Sequence, residues 1–131
     1  MVIERNLYLN QLISHRHNGM VKVITGIRRS GKSYLLFRLF KKHLKDEGVD
    51  DEHIIEMAFD DFGNREYRNP EVFYNYVKRC INDGRMYYLL LDEVQLLDSF
   101  VDVLNGFLYM KNVDVYVTGS NARFLSKDII T

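Results

Sequence analysis

Between a β-branched run, Val21-Lys-Val-Ile-Thr25, and an amphipathic helical pattern that runs from Lys32 to Glu47 stands the segment Gly26-Ile27-Arg28-Arg29-Ser30-Gly31-Lys32-Ser33. A strand, a G-x-x-x-x-G-K-[ST] turn and a helix in that order leave few folds open. The two glycines let the backbone wrap so that successive N–H groups point inward at phosphate oxygens, and the start of the helix adds its positive dipole end. Lys32 would reach the outer phosphates, and the Ser33 hydroxyl would coordinate Mg²⁺. The candidate nucleotide-binding stretch is therefore Gly26 to Tyr34, with all nine residues included. The competing reading is a glycine-bearing strand-to-helix turn with an incidental lysine.

The rest of the chain supplies a setting for that turn. Ile3 to His15 has apolar residues at mostly helical spacing. The Lys32–Glu47 helix carries Leu35, Leu36, Leu39, Phe40 and Leu44 on one face, with Lys41, Lys42 and Lys45 on a solvated one. His53 to Phe59 reads as a second strand, followed by a polar loop from Asp60 to Asn69. Pro70 to Asn82 reads as a helix opened by its proline. Tyr87 to Leu91 is continuously apolar, the mark of a strand covered on both faces. Asp98 to Lys111 returns to helical spacing, and Val113 to Val117 is a fourth strand. Strands that alternate with helices in this way argue for an α/β three-layer sandwich with a mainly parallel sheet. The expected division is a helical segment at 1–18 and a core at 19–131.

Composition narrows the function classes. Eighteen Lys+Arg balance 18 Asp+Glu, so no net field draws the chain to a polyanion or an anionic membrane. Apolar runs are too short to span a bilayer, and Glu4 and Arg5 interrupt any leader-like stretch. Cys80, the only cysteine, excludes an intrachain disulfide, suits a cytoplasmic location and falls on the apolar stripe of its helix. His15 and His17 stand two apart, a poor spacing for a shared metal on a helix. The nine tyrosines fall mostly within elements and read as packing residues rather than base-stacking ones.

Two further signals follow strands. Tyr87-Tyr-Leu-Leu-Leu-Asp92-Glu93 ends an apolar strand in paired acids. In open α/β sheets, ligands sit at the carboxyl ends of the strands. Asp92 would hold the Mg²⁺ shell and Glu93 would polarise an attacking water. Val115-Tyr-Val-Thr118-Gly119-Ser120-Asn121 places small polar residues after the last strand. Ser120 or Asn121 either hydrogen-bonds a γ-phosphate or its water, or caps a turn beginning at Ala122.

Taken together, these residues resemble the AAA+-like P-loop ATPases of bacteria and archaea whose phosphate loop reads G-x-R-R-x-G-K-[ST]. Asp92-Glu93-Val94-Gln95 resembles their D-E-[VIA]-Q segment, and Thr118-Gly119-Ser120-Asn121 their sensor-1 strand end. The resemblance implies ATP and Mg²⁺ as ligands, a 5-1-4-3-2 strand order, and a lid and an arginine finger from a neighbouring subunit in a homo-oligomer. The sequence stops after the fourth core strand, so it reads as the N-terminal part of a longer protein. The favoured expectation is an ATPase whose hydrolysis moves domains beyond this sequence. An ATP-binding regulatory switch with little turnover and an ATP-gated nucleic-acid-binding protein remain as alternatives, with a nucleic-acid or protein partner reached through those other domains. On a 1-4-3-2 order, Val21–Thr25 would be an edge strand without protecting charges, prone to strand addition. No N-K-x-D segment suggests guanine specificity.

Overall fold

The computed structural model describes residues 2–25 and 29–119. Helix α1 (Val2–Ser14) leads into strand β1 (Lys22–Ile24). Next comes one long helical passage made of α2 (Arg29–Tyr34), a π-helical segment (Leu35–Phe40) and α3 (Lys41–Asp46). Strand β2 (Ile54–Ala58), α4 (Pro70–Cys80), β3 (Tyr87–Asp92), α5 (Phe100–Leu108) and β4 (Val113–Thr118) follow in turn. The four strands are parallel and ordered β1-β4-β3-β2, with Val23 opposite Val117, Leu89 opposite Val115 and Ile55 opposite Leu89.

Side-chain alternation along these strands feeds two cores, one on each face of the sheet. Ile24, Ile54, Tyr88, Leu90 and Tyr116 meet Leu12 of α1, Leu35, Leu36 and Phe40 of the π-helical segment, and Leu44 of α3. Val23, Ile55, Met57, Leu89, Leu91, Val115 and Val117 meet Phe73 and Val77 of α4 and Val103, Leu104 and Phe107 of α5. The continuous apolar run of β3 is explained by this arrangement, because each alternate residue faces a different helical layer. Close approach of α4 and α5 depends on Gly106, where a Cβ would stand 3.2 Å from the Tyr74 ring, itself stacked on Phe107. Among the described residues, no helix is long and apolar enough to cross a membrane.

Several boundaries and environments differ from the sequence expectations. The helix expected from Lys32 begins at Arg29, and its middle is π-helical. Within that segment Leu35, Leu36 and Phe40 are fully buried while Leu39 is only half-buried. In α1, Leu7 faces outward at 58% exposure although its spacing suggested the apolar face. The loop expected from Asp60 to Asn69 contains a 3₁₀ stretch, Phe62–Arg68, capped by the Asp61 side chain accepting from Gly63 N–H. Asn69, not only Pro70, starts α4, since its side chain accepts from the Glu71 and Val72 N–H groups. The lysine face of α3 is exposed at Lys42 and Lys45, as expected, and carries surface ion pairs: Lys41 meets Glu56, Lys42 meets Asp46 and Lys45 meets Asp51.

The β1 edge also departs from expectation. Its charge, Lys22, points inward and is fully buried, with Nζ 2.5 Å from Oδ1 of Asp114 on β4 and 3.1 Å from Oδ1 of Asn18. Asp114 also accepts from the His17 N–H at 3.0 Å and the Tyr116 hydroxyl at 2.5 Å. An inward charge is one of the devices that discourage edge-to-edge pairing, and here it ties the entry of β1 to its only strand neighbour in the described sheet.

Candidate functional site

Parallel pairing brings the carboxyl ends of all four strands to one edge of the sheet, where the polar residues that follow them converge. Of the candidate site residues, Gly26, Ile27, Arg28, Ser120 and Asn121 lie outside the described residues. Arg29 and Ser30 open α2, Gly31 and Lys32 are buried in it, Ser33 is half-buried, and Tyr34 is exposed.

Asp92 is the centre of the arrangement. It ends β3 one residue past the Leu91–Val117 pair and is only 3% exposed. The Ser33 hydroxyl donates to its Oδ2 at 2.7 Å, and the Thr118 hydroxyl donates to its Oδ1 at 2.5 Å. Burial pushes the carboxyl above its ordinary range, the two hydroxyl donors pull it back, and the charges of Asp60 and Glu93 push it up again. For Mg²⁺, a hard cation that takes oxygen ligands, the Ser33 hydroxyl and Asp92 carboxylate form a suitable donor pair, and they already face each other across hydrogen-bonding distance.

Glu93 follows with left-handed backbone angles, φ 54° and ψ 52°. A non-glycine residue held there costs about 1–3 kcal/mol, so its neighbours must impose the geometry. They do so from both sides. The Glu93 N–H donates to the Thr118 hydroxyl at 2.9 Å, and fully buried Val94 anchors the 3₁₀ turn Val94–Leu96. The side chain is held as well, since Gln95 Nε2 donates to Glu93 Oε1 at 2.6 Å. The other atom of that amide, Gln95 Oε1, is buried without a hydrogen-bond donor, a condition that costs about 1–3 kcal/mol.

Lys32 completes the constellation from the other side of the sheet end. It is 2% exposed, and its Nζ donates to the Gly119 carbonyl at 2.9 Å. It has no carboxylate partner among the described residues. Among the described residues the buried ammonium rests on this one neutral carbonyl. Gly119 N–H in turn donates to the Ile24 carbonyl at 3.3 Å, lacing the end of β4 to the strand that feeds the glycine-rich turn.

A profile of the AAA domain family matches residues 18–131. The chain belongs to the AAA domain family. Two curated relatives are 32% identical to it: an uncharacterized protein of Haemophilus influenzae, over 99% of this chain and 32% of the relative, and an uncharacterized protein of Methanocaldococcus jannaschii, over 85% and 23%. The chain thus spans about a third or less of the relatives it matches. Its fold is also that of C. elegans PCH-2, with a TM-score of 0.57 at 16% identity, covering 83% of this chain and 32% of that one. The AAA domain is therefore an α/β P-loop NTPase fold with a parallel sheet.

In this AAA domain, Ser33 meets Asp92, Thr118 holds Asp92 and Glu93, and Lys32 reaches the neighbouring Gly119 carbonyl. Thr118 and Gly119, to which the sequence reading gave no role of their own, carry the contacts to Asp92, Glu93 and Lys32. The signal was present in Thr118-Gly119, since a hydroxyl ending a buried strand beside an acid-ended strand needs a partner. Gln95 was visible only as part of a motif, without a role.

Proposed function

We propose that this AAA domain binds ATP with Mg²⁺ and hydrolyses it, and that the hydrolysis drives movement of domains in a longer protein. The observation that carries the reading is the closed set Ser33–Asp92–Thr118, which joins the helix after β1 to the ends of β3 and β4 at the end of the sheet. Lys32 would neutralise the outer phosphates, Ser33 and Asp92 would hold Mg²⁺, and Glu93 would accept a proton from the attacking water. Bound Mg²⁺ would supply charge neutralisation on the phosphate oxygens. The phosphate loop Gly26–Ser33 would contribute backbone N–H donors, with Ser120 and Asn121 near the γ-phosphate.

Hydrolysis by these 131 residues alone is expected to be weak, because an arginine finger from a neighbouring copy is worth roughly 10³–10⁵ in turnover in related phosphoryl-transfer systems. The decisive experiment measures ATP affinity and steady-state phosphate release in the intact protein and in Glu93→Gln. The variant is expected to keep nucleotide affinity and lose turnover. Equal loss of both would make Glu93 a structural or metal-binding acid and overturn its assignment as base.

A further inference from the structure

Gln95 stands beside the proposed base in a geometry that packing does not explain. Residues two apart do not face each other on a regular helix. The left-handed backbone at Glu93 turns its side chain to the same side as Gln95, and the two meet at 2.6 Å. The amide orientation follows from chemistry: an amide oxygen at that distance from a carboxylate would be repelled, so the N–H must be the group that faces Glu93. Oxygen and nitrogen share one carbon, so Gln95 Oε1 stands next to the same carboxylate. Among the described residues that oxygen is buried without a donor, so the amide is held here through its N–H bond to Glu93 and not through its oxygen.

We propose that Gln95 is a positioning residue for the proposed base, holding the Glu93 carboxylate in one orientation through its amide N–H; the inference rests on the proposed hydrolysis. In the reaction, the water oxygen forms a bond to the γ-phosphorus while the bond from that phosphorus to the β–γ bridging oxygen breaks. The bonding pair leaves with ADP, and the water proton passes to Glu93. Gln95 takes no proton. It reduces the orientations open to the carboxylate that takes the proton, as intramolecular positioning does in general.

The test compares Gln95→Met and Gln95→Glu with the native residue in the intact protein, by kcat, KM and ATP affinity. Methionine fills the same volume without either polar group, so a packing role predicts rates within about twofold of native. The positioning role predicts a kcat lower by about tenfold or more in Gln95→Met, with KM and ATP affinity little changed. Gln95→Glu should be at least as slow, since a second carboxylate facing Glu93 repels it. Native-like kcat in Gln95→Met, or affinity lost in step with kcat, overturns the proposal. If Glu93→Gln slows turnover while Gln95→Met does not, hydrolysis at this site stands and only the role of Gln95 falls. Native protein that binds ATP without hydrolysing it overturns both.

Discussion

The Thr118 hydroxyl donates to Oδ1 of Asp92 at 2.5 Å, linking the ends of β4 and β3 across the sheet. The same oxygen accepts the Glu93 N–H, so one hydroxyl holds both acids of the site. A hydroxyl can play both parts at once because it carries one hydrogen and two lone pairs.

Thr118→Val preserves the shape of the side chain and removes both contacts. It leaves the buried Asp92 oxygen without its donor and the Glu93 N–H without its acceptor. A loss of about 1–3 kcal/mol in urea unfolding is expected. Thr118→Ser, which restores the hydroxyl, should recover most of it, and equal instability of the two variants would assign the effect to packing.

Lys32→Ala removes the buried ammonium aimed at the proposed phosphates. Native protein should gain thermal stability with ATP in proportion to the logarithm of its concentration once above the Kd. The variant is expected to show no such gain, as read from melting temperatures across an ATP series. An unchanged gain would separate nucleotide binding from this lysine.

Much of the architecture was legible because periodicity is a local property. The switch from β-branched to helical spacing at the glycine-rich turn, the apolar run of β3 and the acids that end it were all read from short windows. The polar interior was less legible, because it depends on pairs far apart in sequence. The edge Val21–Thr25 read as lacking protective charges, and only Asp114, on another strand, gives Lys22 an inward partner. The π-helical segment was also hidden, since Leu35, Leu36, Leu39 and Phe40 fit a 3.6-residue period nearly as well. Thr118 was overlooked in favour of Ser120 and Asn121 because a threonine ending a strand is common, and only the neighbouring Asp92 gives it a task.

His53 provides a pH signature away from the proposed nucleotide site. Its ring is nearly buried, with Nδ1 2.5 Å from Asp50 and Nε2 2.9 Å from Asp83, and it packs on the Tyr87 ring. Asp50 first, then Asp83, raise its pKa above the ordinary 6.5, against desolvation and the charge of Arg85. Its contribution to stability is therefore complete below pH 6.5 and lost as pH rises through the raised value. Asp50 is lowered chiefly by His53, and Asp83 chiefly by the Arg85 N–H, from an ordinary 3.8. Their contributions are present above 3.8 and lost as pH falls through the lowered values. Urea midpoints should decline as pH rises above 6.5 and through the raised value, and His53→Gln should flatten that decline. An equally steep decline in the variant would place the titrating group elsewhere.

Lys22 and Asp114 test the buried pair at the opposite end of the sheet. Lys22→Met leaves a buried carboxylate with the His17 N–H and Tyr116 hydroxyl as donors but no countercharge. Removing one member of such a pair costs about 3–5 kcal/mol. The double variant Lys22→Met with Asp114→Asn should cost less than the sum of the single changes, as a double-mutant cycle from urea unfolding would read. Additive losses would mean that the two groups act independently.

The left-handed backbone at Glu93 sets the interests of folding and chemistry against each other. Glycine adopts that conformation without steric cost, so Glu93→Gly would release about 1–2 kcal/mol of backbone strain while deleting the carboxylate proposed as base. A library of this domain sorted only for heat resistance would accordingly enrich glycine at position 93, and its most robust members would be inert. Sorting on turnover as well would retain the acid there, and stabilising changes would then accumulate elsewhere in the domain.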